Sequence, residues 1–400
     1  MKERILLLIF VISAVLVGCS ESDSGSAPLF ERPSDKRILL NCNTTFKAEV
    51  STRASIDTIS ELDRVGIFCL ARQKTNINGS SEAPDPNWSV LIDTSSVRYG
   101  YTTNGIYWPN IACNVIHDTT SRARLEVEEG QAYVWYYPIT SWYGYDFYGY
   151  HPYQAGFSHT EDSVTVDFET DGTQDILWGR SDIKSESYAY SARYFRSSKD
   201  SVVHMKFKHC LTQFQFYIIP AKSPDKADPN LTSFNDIKSM SVKEIRMLDT
   251  YSHLRMTVAN KYDEAMVGRV YPIDYYSTVD MTLKDTFGVE VAEKPVPFKT
   301  QFVDGEEIAD TMRVGECIMV CSNQPRHYMS MVLCNTDNPD REYHSEKRMV
   351  IAQSDGSEFL PGYIYKIYIK ASGVTEISLD ATVEKWIEAP ADDNLNFEID

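Results

Sequence analysis

The sequence predicts an all-β protein, sandwiches of short antiparallel strands, on three observations. Tyrosine supplies 25 residues against 19 glycines, and aromatic and β-branched side chains pack well on a pleated sheet. Apolar residues alternate with polar ones at a period of two in run after run. No stretch sustains a capped helical period, although Glu61 to Arg64 has room for one turn. The 400 residues, 42% hydrophobic, suffice for two or three domains with cores. A charged content of 24% excludes wholesale disorder. Lys plus Arg number 39 against 57 Asp plus Glu, a formal net charge of −18. So acidic a chain repels phosphate backbones and no basic block interrupts it, which excludes nucleic acid as a partner.

The chain opens on an address. Lys2 and Arg4 form a positive n-region, and Ile5 to Val17 is an apolar run too short to span a bilayer core of roughly 30 Å. Leu16-Val17-Gly18-Cys19 resembles the lipobox of bacterial lipoproteins, in which small residues admit the peptidase and the cysteine thiol takes the lipid. Residues 1–18 are therefore expected to be a signal peptide, with Cys19 the lipidation site and the attachment to the outer membrane. Several acyl chains on one residue meet the two-anchor requirement for stable attachment. Ser20 to Ser26 is polar, acidic and small, as a tether should be, and residues 19–37 are assigned to it. Acidic residues directly behind the cysteine fit either a solvated leash or a surface-export signal.

Strand patterns follow. Ile38 to Leu40 is apolar, and Phe46, Ala48 and Val50 alternate with polar residues. Val65 to Ala71 is a nearly continuous apolar run, as in a strand buried on both faces. Asn76 to Asn87 is a loop by composition. Tyr133 to Tyr137 is strand-like and stops at Pro138. Between Trp142 and Tyr153, small residues sit among aromatic rings. The rings either fill a core at a sheet end, with Gly144 and Gly149 admitting close backbone approach, or stack on sugars. Phe195 to Ser201 is a polar break. Beyond it Val203, Met205 and Phe207 alternate on odd positions, and Phe214, Phe216 and Ile218 on even ones. That parity change asks for a bulge or twist between His209 and Gln213. Near the end Tyr363, Tyr365, Ile367 and Ile369 alternate, Ser372-Gly373 turns, and Ile377, Leu379, Ala381 and Val383 return, an antiparallel hairpin.

The chemistry of a catalyst is missing. The eight histidines show no metal spacing, and His204 and His209, five apart on a strand, face opposite ways. There is no HExxH, GxSxG, P-loop or GxGxxG. Seven cysteines beyond Cys19, scattered and odd in number, make no disulfide framework. Cys317 and Cys321 would share a strand face roughly 13 Å apart, too far to bridge. They read as small buried apolar residues. No catalytic residue, metal site or cofactor is expected.

The lipobox, Thr52-Arg53-Ala54, Val65-Gly66-Ile67-Phe68, Asp146 to Pro152, Phe207 to Leu211, Gly362-Tyr363-Ile364-Tyr365 and a last strand closing on Trp386 occur in an order and spacing that resembles the fimbrillin family, lipoprotein precursors of type V pili. The resemblance covers nearly the whole chain; the seven further cysteines depart from it. It implies two tandem transthyretin-like β-sandwich domains, residues 38–198 and 199–400. It also implies a non-enzymatic structural or adhesive subunit of a surface-exposed fimbria, with other fimbrial subunits and a host or bacterial surface ligand as partners. Assembly would follow cleavage by an outer-membrane protease after Arg53, or else Arg37, when the first strand leaves and a neighbour's strand fills the groove. Leu395, Phe397 and Ile399 alternate with polar residues at the far end, as a donor strand would, or as the last edge strand of its own domain. Burying three such side chains contributes a gross roughly 5–9 kcal/mol before the entropy of ordering the tail. The competing function is a surface glycan-binding lipoprotein that uses the Trp142 to Tyr153 aromatics; their burial decides between the two.

Overall fold

The computed structural model describes residues 33–43, 64–73, 106–119, 122–128, 136–138, 143–160, 163–181, 190, 202–220, 239–260, 263–303, 306–345, 348–353, 355–371 and 377–385. Eleven strands come first: β1 Pro33–Arg37, β2 Leu39–Asn43, β3 Arg64–Gln73, β4 Ile106–Thr119, β5 Arg122–Val127, β6 Tyr136–Pro138, β7 Tyr143–His151, β8 Ser158–His159, β9 Ser163–Glu169, β10 Leu177–Ser181 and β11 Val202–His209. Then come β12 Leu211–Pro220, β13 Met240–Thr250, β14 His253–Asn260, β15 Val270–Pro272, β16 Val279–Thr282, β17 Val296–Pro297 and β18 Thr300–Val303. The last are β19 Glu306–Ala309, β20 Met312–Cys321, β21 Arg326–Asn335, β22 Glu342–His344, β23 Met349–Ala352, β24 Tyr363–Ala371 and β25 Ile377–Lys385. One 3-10 turn, Glu264–Met266, is capped by the Asp263 side chain. The protein is all-β. Residues 33–37, expected at the end of the tether, form β1 and pair with β6.

Seven strands of the first half close a barrel in the order β10-β11-β2-β5-β4-β3-β7. Its interior holds Ile67, Ile111, Val115, Leu125, Phe147, Leu177, Val203, Met205 and Phe207. In the second half, the sheet β20-β12-β24-β25 lies against the sheet β16-β13-β21-β22, to which β17 and β23 also pair. Phe214, Phe216, Ile245, Met247, Met331, Ile367 and Ile369 fill the space between. This is the two-layer solution that one-sided apolar sheets demand. Among the described residues the pairing is antiparallel apart from two ladders, β2 with β11 and β12 with β24, which are parallel. Both join strands far apart in sequence, where the long connection that parallel pairing needs is present.

A third core belongs to both halves. β9 leaves the barrel and pairs along β14, from His253 opposite Glu169 to Asn260 opposite Ser163, in the sheet β15-β14-β9-β8. Val164, Val166 and Phe168 on β9 and Leu254, Met256 and Val258 on β14 alternate inward, and they meet Phe68, Tyr148, Cys317 and Met319. The parity change around His209 has its reason here. β11 faces the barrel interior on odd positions, and at Cys210 the chain passes into a different sheet, where β12 sends Phe214 and Phe216 into the second-half core. The terminal hairpin forms, antiparallel as expected, with Ile367 opposite Ala381 and Ile369 opposite Leu379.

Candidate functional site: the leading strand in the barrel

β2 sits between β11 on one side and β5 on the other. Leu40 is opposite Val203 on β11 and Leu125 on β5; Cys42 is opposite Met205 and Ala123. Ile38 and Leu40 are 5% and 2% exposed. The apolar run read from the sequence thus lines the barrel, and it is the one strand-forming segment before β3 that lies inside it among the described residues. Removing β2 would leave two backbone edges and an apolar slot between them. Arg37 ends β1, immediately before the buried Ile38. Cys19, Phe46 to Val50, Arg53, Trp142, Trp386, Leu395, Phe397 and Ile399 lie outside the described residues.

The aromatic run answers the sugar question. Tyr145 and Phe147 point into the barrel core, while Tyr148 and Tyr150 point the other way into the shared core; none is more than 1% exposed. They offer no stacking face to a sugar. They are buried because β7 lies between two cores, which no single-sided strand could do. Gly149 is part of the fit: a Cβ there would sit 2.9 Å from both Met205 Cε and Phe207 Cζ. The Tyr150 hydroxyl lies 2.5 Å from Asn110 Oδ1 and 2.9 Å from the Gln154 carbonyl. Burial pushes its phenol well above the usual range, so it stays protonated. Tyr153, at the rim, carries the Arg64 guanidinium 4.2 Å above its ring.

Cys69, Cys113, Cys210, Cys317, Cys321 and Cys334 are buried free thiols. Burial pushes Cys210, Cys317 and Cys321 up to about 12, so they hold almost no thiolate at neutral pH and behave as small apolar groups. His204 is partly exposed, whereas His209 is 7% exposed and its Nδ1 lies 2.7 Å from Asp175 Oδ2. Nothing in the sequence marks that pair, because its members are 34 residues apart with no shared motif. Among the described residues, no group of three or more His, Cys, Asp or Glu is placed to hold a metal ion.

A family model described as fimbrillin-like matches residues 52–386. The chain belongs to the fimbrillin-like family. It is a family of structural fimbrial subunits, and membership implies a place in a surface fimbrium. Among solved structures, a candidate cell adhesion protein from Bacteroides uniformis is similar at 15% identity and TM-score 0.46, covering 89% of this chain and 100% of that one. A fimbrial protein from Bacteroides vulgatus gives 12%, 0.46, 87% and 99% in the same terms. The fimbrial anchor protein of Porphyromonas gingivalis gives 9%, 0.28, 88% and 99%. No curated protein matches this fimbrillin-like chain.

Proposed function

We propose that this fimbrillin-like protein is a structural or adhesive fimbrial subunit, exported as a lipoprotein through Cys19 and assembled by protease-triggered strand exchange. The observation that carries the reading is the place of β2: a leading segment held on both sides in a closed barrel, with buried side chains at Ile38 and Leu40. A strand so placed can be replaced by another of the same alternation, since the ladder supplies hydrogen bonds to any backbone and the slot selects for apolar side chains. Leu395, Phe397 and Ile399 repeat the spacing of Ile38, Leu40 and Cys42, which supports the C-terminal tail of a neighbouring subunit as the incoming strand.

The same placement favours Arg53 over Arg37 as the cut site. Cleavage after Arg37 would sever β1 and leave β2 attached to the rest of the chain; only a cut beyond Asn43 and before β3 frees it. We place the change-over between two tandem β-domains at Cys210, on the support that β11 pairs with β2 and β10 of the first half while β12 pairs with β20 and β24 of the second. The experiment is limited digestion of the purified precursor with an arginine-specific protease, followed by N-terminal sequencing and electron microscopy. Wild-type and Arg37→Ala chains are expected to lose the leading segment and polymerise, and Arg53→Ala to remain monomeric. Polymers from the Arg53→Ala chain would remove that residue from the mechanism.

A further inference from the structure

The seven barrel strands are not held alike. β3 and β7 are buried on both faces, with Val65, Ile67, Tyr145 and Phe147 inward and Phe68, Leu70, Tyr148 and Tyr150 packed into the core shared with the second half. β10 is tied to the second half by Trp178, whose Nε1–H donates to Val258 O at 2.9 Å, and by the Arg180–Glu264 ion pair. β11 runs through Cys210 directly into β12, a central strand of the second sandwich. That joint is pinned by the Cys210 N–H to Ile176 O at 2.9 Å and by His209 against Asp175. One flank of the β2 slot is therefore anchored in the other half of the molecule.

The opposite flank is not. On β4 and β5, Cys113, Val115, Ala123, Leu125 and Val127 face inward and are buried, while Asn114, Ile116 and Arg124 face water. Among the described residues their ladders run only to β3, to each other and to β2. Beyond those ladders, the bonds that tie them to the rest of the barrel among the described residues gather at one end. Asn110, at φ 54, donates from Nδ2 to Gln154 O at 2.7 Å and accepts the Tyr150 hydroxyl at 2.5 Å. Glu128 donates its N–H to Ala112 O at 3.1 Å and binds the Arg64 guanidinium through both carboxylate oxygens, at 2.5 and 2.7 Å. Beside this point the β3–β4 register slips twice, between Ile67 and Leu70.

We propose that the paired strands β4 and β5, over residues 113–119 and 122–127, are a gate hinged at Asn110 and Glu128: they swing away from β2 while β11 stays fixed. The slot then opens from one side only, and β11, the anchored edge, sets the direction and register of any strand that enters. Entry at a slot of this kind is the reading given under Proposed function, on which the role of the gate rests; its mobility in the intact chain does not depend on cleavage. Regions that must move are drawn from those with fewer buried contacts, and strands buried on one face only, unlike β3 and β7, meet that condition.

Hydrogen exchange on the intact, uncleaved full chain under native conditions tests it. The amides that bond across the β2–β5 ladder, within residues 39–43 and 122–127, are expected to exchange about tenfold or more faster than those of residues 65–70 and 202–209, by an opening short of global unfolding. Asn110→Ala is expected to speed exchange of the β5 amides, residues 122–127, that bond to β2 and leave 202–209 unchanged. Asn110→Gly, which tolerates the positive φ but lacks the same side-chain bonds, should do likewise. Exchange of 202–209 as fast as that of the β2-bonded amides in 122–127, or of all barrel strands together only on global unfolding, overturns the gate, and the wild-type comparison decides this even where a variant does not fold. Cleavage after Arg53 that leaves residues 39–43 bound would sink strand exchange instead, and the ordering measured in the uncleaved chain would still decide the gate.

Discussion

His327 lies edge-on between Phe214 and Phe359, with ring centroids 5.1 and 5.2 Å away, and its Nε2 has no hydrogen-bond partner among the described residues. Burial pulls its pKa down to about 4, because the charged ring would lose its hydration inside an aromatic core. The ring is neutral in the fold and near its ordinary value of 6.5 in the unfolded chain, so the unfolded state binds the extra proton. Stability is complete above about pH 6.5 and falls by up to about 3 kcal/mol as pH drops toward 4. The variant His327→Phe should lose that part of the acid slope and be no less stable at pH 7, since it removes a buried polar atom without opening a cavity. Urea midpoints of both proteins at pH 7 and pH 4 check this; parallel slopes would mean that the ring is already solvated in the fold.

The ladder between β9 and β14 shows which interactions hold an element. Arg255 binds Asp167 across it through two bonds of 2.6 and 2.7 Å, but both side chains are about a third or more exposed. Solvent and salt screen such a pair, and it contributes at most about 1 kcal/mol. Met256, on the other face of the same strand, is 0% exposed. Its truncation removes buried surface and leaves a cavity at about 2–5 kcal/mol. Denaturant titrations should therefore rank Met256→Ala well below Arg255→Ala in stability. The reverse order would mean that charge pairing, and not the shared core, joins β9 to β14. Val164, Val166 and Phe168 alternate with Thr165 and Asp167, but a period of two reports a face and says nothing of which distant strand lies opposite.

For the whole molecule, the shared core predicts one thermodynamic unit. Trp178 reaches Val258 O, and Gly268, at φ 73, leaves room for that ring where a Cβ would meet it at 2.7 Å. The Lys284 ammonium binds Asp171 at 2.6 Å across the same boundary. Two halves joined only by a linker would melt separately; two that share Val166, Met256 and Met319 in one cluster should melt together. Calorimetry of the full chain is expected to give a single transition with van't Hoff and calorimetric enthalpies in agreement. Two resolved transitions would show that the common core is too weak to couple the halves.

The order of residues was enough to specify the class of fold, the doubly buried strand at Val65 to Leu70 and the terminal hairpin. Each of these is written in local periodicity, and the pleat alone sends successive side chains to opposite faces. It also made the family legible, through short motifs whose order survives. It took the three-dimensional packing to show that β2 closes a barrel between β5 and β11, that β9 is shared with the second half, and that the aromatic run from Tyr145 to Tyr150 is core on both faces. The reason is that apolar strands of similar alternation are locally interchangeable. Which of them pair is settled by the packing of segments far apart along the chain, where no repeat or spacing leaves a mark.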